Sequence, residues 1–205
     1  MDLLVLIQKS PLAFTVLATA TGLLVGSFLN VVIYRTPVLL LRRWRDECRE
    51  LNDAASTPVE PVEKFNLVTP RSRCPHCGHG ITALENIPVL SWLFLRGKCS
   101  ACGKPIPARY PFVEALTATL TAVTAWHFGY GAAGLAAVAL VWMLIALSFI
   151  DVDHHLLPDV MVLPTLWAGL LLNLFGVFAP LSSAVIGAVA GYLALWSGYH
   201  LFKLI

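Results

Sequence analysis

Five apolar stretches leave this chain little choice of fold: Pro11 to Ile33, Pro111 to Trp126, Gly131 to Ile150, Val160 to Phe178 and Ser183 to Leu204. Roughly 17–25 apolar residues in a helix cross a bilayer, and only helices and closed barrels satisfy their own backbone there. The 205 residues are 58% hydrophobic and 13% charged, with a mean hydropathy of +0.75, which excludes an ordinary soluble domain. The expected fold is an all-α, polytopic membrane protein with about five transmembrane helices, its partner the lipid bilayer. A signal peptide is the rival reading of the first stretch, because Lys9 precedes it. That stretch exceeds a typical secretory core, and no small-residue cleavage site closes it, so a retained helix is expected. Gly22 and Gly26, and again Gly187 and Gly191, would permit close helix packing. Pro164 could kink the fourth span. Asn30, at the end of the first stretch, needs a partner or the interface, and Glu114 is expected to snorkel to water.

Charge distribution divides the chain. Twelve of its fourteen Lys and Arg residues fall between Arg35 and Arg109. Arg35, Arg42, Arg43 and Arg45 follow the first span and Arg109 precedes the second, which marks residues 34–110 as cytoplasmic. The expected divisions are a first transmembrane helix at 11–33, a cytoplasmic segment at 34–110, and a membrane core of helices 2–5 at 111–205. Leu51 to Thr69, with two prolines, reads as a linker. The arginines lack a nucleic-acid recognition fold and are better explained by topology. Gly129-Tyr130-Gly131-Ala132-Ala133-Gly134 matches a dinucleotide fingerprint on paper, but no strand precedes it, so a turn between two spans is expected.

Within the cytoplasmic segment stand Cys74-Pro75-His76-Cys77 and Cys99-Ser100-Ala101-Cys102, with twenty-one residues between the inner cysteines. Two such pairs complete a closed, all-sulfur tetrahedral zinc site, so Cys74, Cys77, Cys99 and Cys102 are the expected ligands in a zinc-ribbon-like insert. Disulfides are the main rival, and a reducing cytoplasm weighs against them. His76 and His79 are alternative ligands that four thiolates make unnecessary.

Counting crossings from a cytoplasmic 34–110 returns the chain to the same face at Asp151-Val152-Asp153-His154-His155-Leu156-Leu157-Pro158-Asp159. Ionisable groups this near a span are costly and tend to be functional. Asp151 directly follows a twenty-residue apolar run, where partial burial would raise its pKa and let it share a proton with a second carboxylate. Asp153 and Asp159 are the nearest candidates for support, though Asp159 after Pro158 equally suits a helix cap.

The chain resembles the bacterial type IV prepilin leader peptidases that also N-methylate their product. The matching pieces are Gly26-Ser27-Phe28-Leu29-Asn30-Val31-Val32-Ile33-Tyr34-Arg35, the two cysteine pairs, Glu85-Asn86-Ile87-Pro88-Val89-Leu90-Ser91-Trp92, Arg109-Tyr110-Pro111-Phe112-Val113-Glu114, and Asp151 to Asp159. The resemblance implies an aspartic endopeptidase of the Gly-x-Gly-Asp type in the bacterial inner membrane. It also implies prepilin and pseudopilin substrates, cut after a basic leader at the cytoplasmic face, and S-adenosylmethionine as methyl donor. The cysteine segment is a candidate contributor to the donor's site. Asp151 corresponds to the family's first catalytic acid.

One departure stands out. No Gly-x-Gly-Asp follows Asp159, so the second catalytic acid is missing, and a C-terminally truncated, inactive member is expected. Two rival functions remain: a non-catalytic membrane scaffold that docks partners through the zinc module, and a transporter using Asp151 and Asp153 as a proton relay.

Overall fold

The computed structural model describes residues 3–51 and 65–204, and their regular structure is helical. Seven helices follow in order: α1 (Leu3–Lys9), α2 (Pro11–Leu51), α3 (Leu90–Phe94), α4 (Arg109–Phe128), α5 (Ala132–His154), α6 (Asp159–Leu174) and α7 (Leu181–Leu204). The chain divides into two compact units, Met1–Pro158 and Asp159–Ile205. Among the described residues three helices are long and apolar enough to cross a membrane: Pro11–Arg49, Ala132–His154 and Leu181–Lys203. The other two expected spans are present as helices α4 and α6, the first diluted by threonines and the second only 16 residues long.

Helix α2 begins where the expected first span begins. The Ser10 hydroxyl accepts the Ala13 amide at 3.2 Å, and Pro11 occupies the first helical position, where no amide is needed. It does not stop at Ile33. Its 41 residues run through a buried Pro37 to Leu51, about 60 Å at 1.5 Å per residue. That is twice a hydrocarbon core, so the helix carries its arginines well beyond one.

In the first unit α2 packs against α4 through its two glycines. A Cβ at Gly22 would lie 2.7 Å from the Thr121 hydroxyl, and one at Gly26 would lie 2.8 Å from the Glu114 Cα. The facing stripe of α4 is Val113, Glu114, Thr117, Ala118, Thr121 and Ala125, spaced to share one helix face. Threonine hydroxyls that would be costly in an apolar setting bond back to their own helix, Thr117 to the Val113 carbonyl at 2.7 Å and Thr121 to that of Thr117 at 2.6 Å. The Trp142 indole of α5 donates to the Thr121 hydroxyl at 2.8 Å, and Ile7, Phe14, Ala125 and Val138 complete the core around it.

Filling the α2–α4 seam has a direct cost. Gly26→Leu should destabilise the chain in detergent by about 3 kcal/mol or more, because the backbone of Glu114 cannot rotate away. Among the described residues nothing lies within 4 Å of a Cβ at Gly187, nor of one at Gly191, so within their own unit the close packing these glycines would permit is not made. Gly187→Leu should stay within about 0.5 kcal/mol of the parent in the same unfolding assay.

The glycine string joins α4 to α5 as a turn. Gly129 takes φ 67° after the end of α4, and a Cβ on Gly134 would overlap the Gly129 carbonyl oxygen. In the second unit α6 ends at Leu174, four residues earlier than the apolar run suggests. Gly176 adopts φ 67°, and the Asn173 carboxamide oxygen accepts the amides of Phe178 and Ala179 at 3.2 and 3.1 Å.

Candidate functional site: a four-cysteine module and the acidic end of α5

Each cysteine pair forms a knuckle of the same design. In the first, the Cys74 amide donates to the His79 carbonyl at 2.9 Å, the Gly78 amide donates back to the Cys74 carbonyl at 2.9 Å, and Gly78 takes φ 71°. In the second, Cys99 bonds to Lys104 at 2.8 Å, Gly103 to Cys99 at 2.9 Å, and Gly103 takes φ 68°. A single antiparallel bridge closes each, Arg73 with Gly80 and Lys98 with Pro105. A glycine directly after each pair supplies the left-handed turn that both knuckles require.

The knuckles bring four sulfurs together. Cys74 Sγ lies 3.9 Å from Cys102 Sγ, Cys77 Sγ lies 4.0 Å from Cys99 Sγ, and all four lie within 4.8 Å of one another. Zinc–sulfur bonds of about 2.3 Å make a tetrahedron with edges of about 3.8 Å, so the cluster has the size of an occupied site. None of the four is disulfide-bonded, and bonded sulfurs would stand about 2.05 Å apart. The backbone amides of His76 and Cys77 pull the Cys74 thiol down to about 7, and those of Cys102 and Ala101 lower Cys99. At Cys77 the His79 amide acts in the same sense, but desolvation and the sulfurs of Cys102, Cys74 and Cys99 outweigh it and push the thiol up to about 12. Four sulfurs this close cannot all ionise unaided, and a divalent cation removes that conflict. His76 is exposed and His79 turns toward Glu85 at 3.4 Å, so neither belongs to the sulfur cluster.

Two anchors hold this module to the helices of its own unit, and sequence reasoning found neither. Arg35, only 8% exposed on α2, donates to the Asn66 carbonyl at 2.7 Å and to that of Pro70 at 2.6 Å, with Phe65 beneath its guanidinium. Residues 65–69, the end of the expected linker, are therefore pinned; 52–64 lie outside the described residues. Glu114 does not snorkel. It is 8% exposed and accepts the Val89 amide at 2.7 Å, just before α3, where Val89 holds φ 61°. Asn30 finds its partner in the Tyr110 carbonyl at 3.2 Å, which ties α2 to the start of α4.

Asp151 lies one turn before the end of α5 rather than in a loop. The helix continues through His154 and is capped by His155 in the left-handed region, whose amide donates to the Asp151 carbonyl at 2.8 Å. Its side chain is exposed, where partial burial was expected. Asp153 is not turned toward it, since residues two apart on a helix do not share a face. Instead Asp153 accepts two bonds from Arg109 of α4, one at 2.8 Å from Nη1 and a shorter one from Nη2, and Arg109 covers the Phe149 ring at 5.2 Å. The fork fastens the last turn of α5 to the start of α4. The pair is partly exposed, so a double-mutant cycle of Arg109→Ala and Asp153→Asn should give a coupling of about 0.5–1 kcal/mol. Arg109→Lys should recover little of it, because an ammonium cannot make the two parallel bonds. Asp159 is the exposed first residue of α6, in the second unit.

Comparison with known proteins is extensive. Residues 20–128 match the Bacterial Peptidase A24 N-terminal domain, and residues 138–204 match the Type IV leader peptidase family. A prepilin leader peptidase/N-methyltransferase from Stutzerimonas stutzeri is 55% identical over 97% of this chain and 68% of its own length. Proteins of the same description from Pseudomonas putida and Pseudomonas aeruginosa are 52% and 51% identical over all of this chain and 70% of theirs. No solved structure matches.

Proposed function

Because the chain belongs to the type IV leader peptidase family, we propose that it supplies part of a membrane aspartic endopeptidase. That enzyme removes the leader of prepilins and pilin-like secretion proteins, then methylates the new N-terminal amine. The observation that carries this reading is the position of Asp151, exposed in the last turn of an apolar, membrane-length helix and followed at once by the cap. A carboxylate there meets water at the end of the hydrocarbon layer. Paired with a second acid, it can activate water against a peptide bond, one carboxyl taking the water's proton and the other donating to the leaving amine. Arginines 42, 43, 45 and 49 on the far part of α2 support placing the α2 C-terminus, the cysteine module and Asp151 on the cytoplasmic side of the bacterial inner membrane.

The 205 residues contain no Asp or Glu after Asp159. None of them therefore offers a second acid in the position that the family resemblance implies, and these residues alone should not cleave. Asp153 is held by Arg109 and serves as a positioning residue; Asp159 acts at the start of α6 as a dipole partner. Zinc is the proposed occupant of the four-cysteine cluster, with a structural role. S-adenosylmethionine would provide an electrophilic methyl group for the deprotonated amine.

The decisive experiment compares two preparations on a full-length prepilin in detergent. One is the 205-residue chain, expected to be inert. The other is a hybrid continued with the C-terminal remainder of the Pseudomonas putida relative, expected to cleave. Robust cleavage by the 205 residues alone would show that the acids lie within them, and an inert but folded hybrid would count against the peptidase reading.

A further inference from the structure

Glu85 stands between the two cysteine pairs in sequence and between the two knuckles in space. One of its oxygens accepts the hydroxyl of Ser100, which lies inside the second pair, in a short bond. The other accepts the Thr82 amide and the Thr82 hydroxyl, each at 2.8 Å, just beyond the first knuckle. His79 of the first knuckle approaches both oxygens at 3.4 Å. The Glu85 amide also donates back to the Thr82 hydroxyl at 3.4 Å, so the carboxylate is set from its own backbone. The internal bonds of each knuckle, Cys74 with His79 and Cys99 with Lys104, orient only two sulfurs apiece. A link from one knuckle to the other is what sets the distance between the two sulfur pairs.

We infer that Glu85 is a positioning residue for the metal: it clamps the two knuckles in register, so that a divalent cation meets four sulfurs already in place. This rests on the reading of the cysteine cluster as a metal site. Glu85 is not a fifth ligand, because the four sulfurs complete a tetrahedron without it. Hydroxyl and amide donors meet its oxygens, with the His79 ring nitrogen beside them.

The test uses the whole 205-residue chain in detergent, loaded with zinc, and follows release of the ion to a chromophoric chelator. Outer-shell partners of metal ligands typically contribute about 10–100-fold to affinity, so Glu85→Ala should weaken zinc retention by about that factor. Ser100→Ala cuts the same link from the other side and should act in the same direction. The double variant should then be no worse than about the weaker-binding single. His76→Ala should release zinc as the parent does. Wild-type retention in Glu85→Ala, or effects of Glu85→Ala and Ser100→Ala that multiply, would overturn the inference. Should Glu85→Ala lose helix by circular dichroism, Ser100→Ala against the parent decides alone. A parent chain that takes up no zinc would instead remove the metal reading, and this inference with it.

Discussion

Replacing Asp151 by asparagine in the cleaving hybrid should lower prepilin cleavage by about a thousandfold or more, with no measurable change in thermal stability. The expectation joins chemistry to placement. An amide can neither take a proton from water nor return one to the leaving amine. Among the described residues the exposed side chain has no ion pair of the kind Asp153 makes, so the fold does not depend on its charge. Asp153→Asn should behave in the opposite way. It breaks the fork with Arg109, costs about 0.5–1 kcal/mol, and slows cleavage only by loosening the turn that carries Asp151. The measurements are initial cleavage rates and unfolding midpoints on the same two variants. A scaffold would leave Asp151→Asn silent in every assay. A transporter would reveal itself by flux that follows a pH gradient across vesicles. Equal, modest losses in both variants would mean that Asp151 is only another structural residue of α5.

With zinc as the proposed occupant of the four-cysteine cluster, its loss should be the largest structural perturbation short of unfolding. Cys99→Ser, or prolonged chelation, is expected to take zinc from about one ion per chain to below about a tenth. Knuckles this small depend on the ion, since structural zinc contributes on the order of 10 kcal/mol to folding in comparable modules. Amide protection should therefore collapse at Cys74, Gly78, Cys99 and Gly103, the four amides that define the knuckles. Protection in α4 and α5 should persist, because Gly22, Gly26, Thr121 and Trp142 hold that bundle without the module. Hydrogen exchange with mass spectrometry reads both regions in one experiment. Protection that survives full zinc removal would show that the knuckles fold by their own backbone bonds, and the metal would then be incidental.

These results would also separate the module from the bundle at their anchors. Arg35 and Glu114 tie the four-cysteine module to α2 and α4 through backbone groups of Asn66, Pro70 and Val89. Both were legible only as charges in the sequence, one as a topology marker and the other as a side chain bound for water. The partner of the buried side chain was invisible in each case, because backbone carbonyls and amides carry no residue identity. The Arg109 partner of Asp153 was hidden for a related reason. In a loop Asp153 could have faced Asp151, but the continuation of α5 by four residues puts the two on different sides of a helix.

What composition and spacing settled unaided were the properties that depend on local chemistry. Runs of apolar residues dictated membrane helices, since unpaired backbone in hydrocarbon is too costly for anything else. Two Cys-x-x-Cys-Gly strings dictated a pair of knuckles, because four thiolates at that spacing have one economical arrangement around a cation. Which charges would be buried, which helix would run on past its membrane length, and which glycines would meet a neighbour were decided only by tertiary packing. Gly22 and Gly187 stand in the same pattern, yet among the described residues of its own unit Gly22 has a partner helix pressed against it and Gly187 does not. That difference lies in contacts between residues about a hundred positions apart, and no periodicity within a single segment encodes it.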